Sequence, residues 1–302
     1  MSQTRIQSHD MLVRPARRED TDAIMRWLPR VLGEHDYVLE TWHTWLDDDE
    51  PLLVGEFEGT PIAITHMVHI APDELWLQGL RLHPDYHGRG LGKAMHEANL
   101  RYALSQPGVR VVSLATANDV VRHLCPKSGM RWCGDWLLYE ADALPEQPTP
   151  PPAHLTAEDS DTLEALLAAS PYRRTHANRF PAGWKFPRLR DELLREWLAE
   201  GRFLALRDTN GRVHAGVVAI PPPNVEDGDA WTLLVLGDTE GLVWAGRVVR
   251  ALAAKAGVQR LAAFIPDDAT WRGAWEQAGW RFKEESAFAR MSVYEKWRDL
   301  DD

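Results

Sequence analysis

The stretch "ELWLQGLRLHPDYHGRGLGKAMHEANLRYAL", residues 74–104, sets a strand signal, a glycine-rich turn and a helix signal in direct succession. Its first nine residues alternate like a half-buried strand, but the apolar parity changes: Leu75 and Leu77 are odd, Leu80 and Leu82 even. One extra residue at Gln78-Gly79 accounts for the change. The reading is therefore a β-bulge that bends the strand and leaves backbone groups unpaired by a neighbouring strand. Downstream, Leu91, Met95, Ala98 and Tyr102 share one face of a helix. Gly88, Gly90 and Gly92 thus fall at a strand-to-helix turn, where glycine admits a ligand close to the backbone and a helix N-terminus offers unpaired N–H groups. A pyrophosphate suits such a turn. Arg81, Arg89, Lys93 and Arg101 outnumber Asp85 and Glu97 in the same region.

That local excess of positive charge is an exception. The chain of 302 residues carries 45 acidic against 34 basic residues, a formal charge of −11, which argues against nucleic acid and anionic membranes as partners. Its length and 44% hydrophobic content suffice for two packed domains. The two cysteines, Cys125 and Cys133, make neither a disulfide framework nor the paired spacing of a zinc site, so a reducing cytoplasm and no metal are expected. His66 and His69 are spaced to point to opposite faces of a strand, unlike paired ligands. The first twenty residues hold no apolar core of signal-peptide length, and no later run approaches about 18 apolar residues, so no membrane span is expected.

Outward from the quoted stretch, the order of signals occurs twice. "ARREDTDAIMRWL" (16–28) is echoed by "LTAEDSDTLEALL" (155–167), and "PLLVGEFEGTPIAITHMVHI" (51–70) by "RFLALRDTNGRVHAGVVAIP" (202–221), two hairpins turning at Glu58-Gly59 and Asn210-Gly211. "GVRVVSLATAND" with "KSGMRW" (108–132) is echoed by "GVQRLAAFIPDD" with "EQAGWRF" (257–282). Between the halves, "ALPEQPTPPPAH" (143–154) is proline-rich and reads as an extended linker. The expected organisation is a first domain over 1–143, a linker over 144–153 and a second domain over 154–302. Each is an α/β (α+β layered) unit with a mixed, mostly antiparallel sheet flanked by helices.

Three separated elements, "VRPARRED" (13–20), "LRLHPDYHGRGLGKAM" (80–95) and "ANDVVRHLCPKSGM" (117–130), follow one another as in the GNAT superfamily of acyl-CoA-dependent N-acyltransferases. The first half resembles that family over nearly its whole length, the second in outline only. The resemblance implies acetyl-CoA as co-substrate, its pantetheine arm along Leu80, Arg81 and Leu82 and its pyrophosphate on the amides from Gly88 to Lys93. His87, Gly88, Arg89, Gly90, Leu91, Gly92 and Lys93 then form the binding loop, with His87 departing from the family's usual Gln or Arg. Asn118 holds the place of a family Asn that touches the pantetheine arm, or else caps the next helix. The second half, "LLVLGDTEGLVWAGRVV" (233–249), lacks the Gly-x-Gly turn, and Asp238 and Glu240 oppose an anion there.

The implied reaction is acetyl transfer to a primary amine, from a small molecule or a peptide, in a monomer or homodimer. Such an amine is mostly protonated near pH 7, so a base is expected. The family's usual Glu on the bulged strand is replaced by Gln78, which orients but takes no proton. Glu74, of the same parity, is the first candidate base. The usual Tyr acid is matched by Cys125, whose neighbour Pro126 disfavours helical geometry. Glu34, Asp36, Tyr37, Trp42 and Trp45 occupy the acceptor side in the family. The alternative is a coenzyme A-binding sensor that has lost its catalytic Glu and Tyr.

Overall fold

The structure is a computed structural model that describes residues 6–8, 11–146 and 148–298; part of the leader reading therefore lies outside the described residues. The first half forms β1 (Ile6–Ser8), β2 (Met11–Pro15), α1 (Thr21–Trp27), α2 (Pro29–Leu32), α3 (Tyr37–Asp47), β3 (Leu52–Phe57), β4 (Thr60–Ala71) and β5 (Glu74–Leu82). It continues with α4 (Leu91–Ser105), β6 (Val111–Thr116), α5 (Asp119–Lys127) and β7 (Arg131–Asp142). The second half follows with β8 (Ala153–His154), α6 (Ser160–Ala169), α7 (Pro171–Arg174), α8 (Asp191–Ala199), β9 (Leu204–Arg207), β10 (Val213–Ile220) and β11 (Thr232–Gly237). Then come α9 (Thr239–Lys255), β12 (Arg260–Pro266), α10 (Ala269–Gln277), β13 (Arg281–Phe282) and β14 (Arg290–Trp297). By packing, the chain divides into two compact units, one taking the described residues up to Leu114, 123–131 and from Tyr294, the other 115–122 and 132–293. The repeat boundary at 144–153 is a different partition of the chain from this one.

In the first unit the strands run β1-β2-β3-β4-β5-β6, antiparallel throughout except where β5 meets β6 in parallel. The β3–β4 turn uses Glu58 and Gly59 at positive φ, the geometry that matches strand twist in a two-residue hairpin. Side chains alternate across the sheet, and each face finds its own helices. Val54 and Ile64 pack with Ile24, Trp27, Leu28, Val38, Trp42 and Trp45 of the segment 21–47. On the other face lies α4: a Cβ at Gly55 would press on Met11, Ala63 and Met95, and Asn99 Nδ2 donates to Thr65 Oγ1 at 2.8 Å.

The bulge forms where the parity change puts it. Ile64 pairs with Arg81 and His66 with Gln78, so Gly79 and Leu80 together oppose Thr65 alone. Gly79 has φ +66°, and a Cβ there would lie 2.7 Å from Trp45 Cη2. No other residue fits. The parallel ladder of β5 with β6 runs from Glu74–Val111 to Trp76–Ser113 and goes no further, although β5 continues to Leu82.

In the second unit β11-β10-β9-β8 form a four-stranded antiparallel sheet. Separately, β12 pairs antiparallel with β7, from Arg260–Asp142 to Pro266–Trp136, and β13 pairs with the same strand. Within the proline-rich segment, Pro150 O accepts from Trp244 Nε1 at 2.8 Å and Leu144 N donates to Arg250 O at 3.1 Å. Helix α9 offers polar partners that hold it down. No helix among the described residues is long and apolar enough to cross a membrane.

Candidate active site

Between β5 and α4 the chain makes a short 3-10 turn at 84–86, then passes through Gly88 at φ +75° and Gly90 at φ +77°. Both angles are left-handed, and a Cβ at either would meet nothing within 4 Å. Gly90 is the N-cap of α4 and supplies no side chain to cap it, so no side chain there satisfies the amides of its first turn. Leu91 is buried and anchors that turn, while Gly92 packs at 3.6 Å from Leu82 Cδ2. His87 donates from Nε2 to Leu82 O at 3.1 Å, tying the turn back to the strand. Arg89 lies over the Tyr86 ring at 5.1 Å, and Lys93 is 3.7 Å from Glu97. Asp85 is paired with Arg30 at 2.7 Å; that hydrogen bond holds its carboxyl below the ordinary range. An anion is a good fit to these residues.

Two of the four basic residues counted from the sequence serve elsewhere. Arg81 is clamped on Asp36, Nε to Oδ2 at 2.7 Å and Nη2 to Oδ1 at 2.8 Å, with the Asp36 carboxylate fully enclosed. Burial of that carboxylate demands a paired cation. Arg101 sits ten residues along α4 from Leu91, about 15 Å at the helical rise, and lines another cleft.

The catalytic candidates are rearranged by burial. Glu74 does not line an open wall: it is fully buried and accepts from Ser113 Oγ at 2.6 Å. Cys125 is also fully buried, and burial pushes its thiol up to about 12, too weak an acid to protonate a leaving thiolate. Contrary to the expectation from Pro126, α5 continues through Cys125 to Lys127; proline in a last turn sacrifices little. Asn118 accepts from Val120 N at 2.8 Å, the N-cap bond of α5. On the acceptor side, Trp42 is core and Asp36 is spent on Arg81, while Tyr37 is exposed with burial of its hydroxyl raising its pKa.

Gln78 is the candidate that finds a partner. Its Nε2 lies 3.0 Å from His66 Nδ1, and His66 Nε2 lies 3.4 Å from Asp48 Oδ2. With Gln78 donating to Nδ1, the ring carries its proton on Nε2. Trp45 stacks on the imidazole, centroids 4.4 Å apart and planes 7° apart. From sequence His66 is weighed with His69 only as a metal ligand, yet it shares the parity of Ile62 and Ile64, which marks it as inward-facing. A cavity of about 400 Å³ is lined by Trp45, Asp48, Asp49, Glu50, His69 and Tyr102 among others; it shares Trp45 and Asp48 with this group, while the His66 ring itself is buried behind its wall. Among the described residues no group of side chains is arranged to hold a metal ion.

Comparison with known proteins gives a consistent picture of the fold. Residues 19–130 match the family model for the Acetyltransferase (GNAT) family. A GCN5-related N-acetyltransferase from Sphaerobacter thermophilus has 16% identity and a TM-score of 0.58, with 97% of each chain covered. A putative acetyltransferase from Pyrococcus horikoshii has 11% identity and a TM-score of 0.53, covering 98% of this chain and 92% of that one. A fungal multi-domain β-N-acetylglucosaminidase with a GCN5-related glucosamine N-acetyltransferase region has 12% identity and a TM-score of 0.57, covering 96% of this chain and 38% of that one. No curated protein matches the chain.

Proposed function

We propose that the chain is an acetyl-CoA-dependent N-acetyltransferase that acts from its first unit on a cationic primary amine by direct transfer. One observation carries the reading: the first turn of α4 has no side-chain cap and is entered through two left-handed glycines with open space at both. It stands directly after a bulged strand, the arrangement that the family match over 19–130 leads one to seek. Acetyl-CoA, when bound, supplies the activated thioester. The amides from Gly88 to Lys93 hold its diphosphate, with charge from Arg89 and Lys93 and with His87 fixing the turn. Leu80, Arg81 and Leu82 offer backbone groups to the pantetheine arm along the edge that β6 leaves open; the Arg81 side chain takes no part.

The acidic cavity, which has both α3 and α4 residues in its lining, draws in the amine. Asp48, Asp49 and Glu50 supply negative charge, and Trp45 and Tyr102 supply aromatic walls suited to a cation. Gln78 must first turn its Nε2 away from Nδ1, which frees that lone pair; His66, with Asp48 nearby, then takes the amine's proton on Nδ1. The turned Gln78 amide presents Oε1 to the protonated Nδ1. His66 thus replaces Glu74 as the base in this reading, and Cys125 has no role in it. We retain the repeat boundary at 144–153, with a cytoplasmic setting, as proposals.

Thiol release measured with a panel of amines, including an amino sugar as acted on by the fungal relative, tests the reading. Saturable release that requires an amine, lost in Gln78→Ala and His66→Ala, is expected. Tight coenzyme A binding with no turnover on any amine would favour the sensor, for which the Gln78 and Cys125 replacements speak.

A further inference from the structure

A second cleft in the first unit, of about 670 Å³, lies between the C-terminal half of α4, the end of α5 and the end of β14. Among the described residues, Arg101, Lys127, Lys296 and Arg298 line it against a single carboxylate, Glu97, in a chain of net charge −11. Glu97 is itself 3.7 Å from Lys93. Two of the cations are fixed in place by backbone carbonyls: Lys296 Nζ donates to Ser128 O at 2.8 Å, and Arg298 Nη2 to Gln106 O at 2.8 Å. Carbonyl oxygens orient these groups without neutralising them. Arg101 and Lys127 are exposed and have no ion-pair partner among the described residues. Beside them Trp297 is 38% exposed, with its indole N–H held by Glu295 Oε1 at 2.9 Å.

Like charges gathered in one concavity repel one another, and the arrangement costs stability unless an anion occupies it. The cleft has the volume of a small-molecule site and joins two preset cations, two free ones and an ordered aromatic face. We infer that it binds a small organic polyanion, its phosphate or carboxylate groups on Arg101, Lys127, Lys296 and Arg298 and its apolar part against Trp297. The site is separate from the glycine turn, which lies at the other end of α4. Arg101, assigned from sequence to the turn, belongs here instead.

Calorimetry with tripolyphosphate, and in parallel with citrate, tests the inference on the full chain with coenzyme A present at saturation, which fills the glycine turn. One saturable equivalent per chain is expected, weakening as salt rises. Whichever probe binds more tightly identifies phosphate or carboxylate as the recognised group. The Arg101→Ala/Lys127→Ala double variant should lose at least about tenfold in affinity, with coenzyme A affinity and melting temperature unchanged. Lys127→Glu alone, at an exposed position, should weaken it as well. No saturable binding of either probe at millimolar concentration would overturn the inference, as would equal binding by the double variant.

Discussion

Helices α4 and α9 each follow a strand, β5 and β11, yet their N-termini are built differently. At α9 the N-cap is Asp238, whose Oδ1 accepts from Gly241 N at 2.9 Å, so the helix satisfies its own first turn with a carboxylate. Gly241 is buried, and a Cβ there would come within 2.6 Å of Ala215 Cβ; that glycine serves packing. At α4 the N-cap is Gly90, with no side chain to offer and open space around it. A helix end that caps itself is stable alone, whereas one that leaves its amides bare is stabilised by a ligand. In the proposed function, that difference of one residue type at the cap separates a structural helix end from a binding one.

The largest effect should come from Gly90→Val, which forces a β-branched residue into φ +77° and fills the turn. Coenzyme A affinity should fall at least about 100-fold by calorimetry. Next, His66→Ala should lower kcat about 100-fold with KM for acetyl-CoA unchanged, since the base acts on the amine. Steady-state rates at several pH values check this, and an unaltered kcat would remove His66 from the chemistry.

The two helices also differ in what they bury. Helix α9 buries no ionisable side chain, whereas α4 buries His96, whose pKa burial lowers to about 4, with its Nε2 2.9 Å from Ser128 Oγ. The folded state keeps this ring neutral, while the unfolded chain protonates it below its ordinary value near 6.5. Stability is therefore unaffected above about pH 6.5 and is lost as pH falls from there toward 4, on the order of 3 kcal/mol in all. Urea melts across this range should show that slope in the wild type and not in His96→Asn. Smallest is Asp238→Ala, which should cost about 1 kcal/mol, a few degrees in melting temperature, with coenzyme A affinity unaltered.

How far the sequence carried depends on the kind of signal. The bulge was legible because a change of apolar parity has one local cause, and the glycine turn because φ > 0 and a bare helix end are written in adjacent residues. The fate of charged side chains was not. Arg81 reads as a ligand for an anion until Asp36, 45 residues earlier, is found clamped on it. Glu74 reads as a strand-end carboxylate until Ser113 and the parallel strand enclose it. Cys125 occupies an acid's place by motif, but burial decides its protonation. His66 and Asp48 were invisible as a pair because a bulge and a helix end bring them together, and neither spacing nor periodicity records that meeting.

The central claim is that one helix end in the chain is a coenzyme A site and its counterpart is not. Titration calorimetry of coenzyme A into the wild type, Gly90→Val and Asp238→Ala tests it directly. One site per chain is expected in the wild type and in Asp238→Ala, and none in Gly90→Val. Two sites per chain, or an affinity that survives in Gly90→Val and falls in Asp238→Ala, would contradict it.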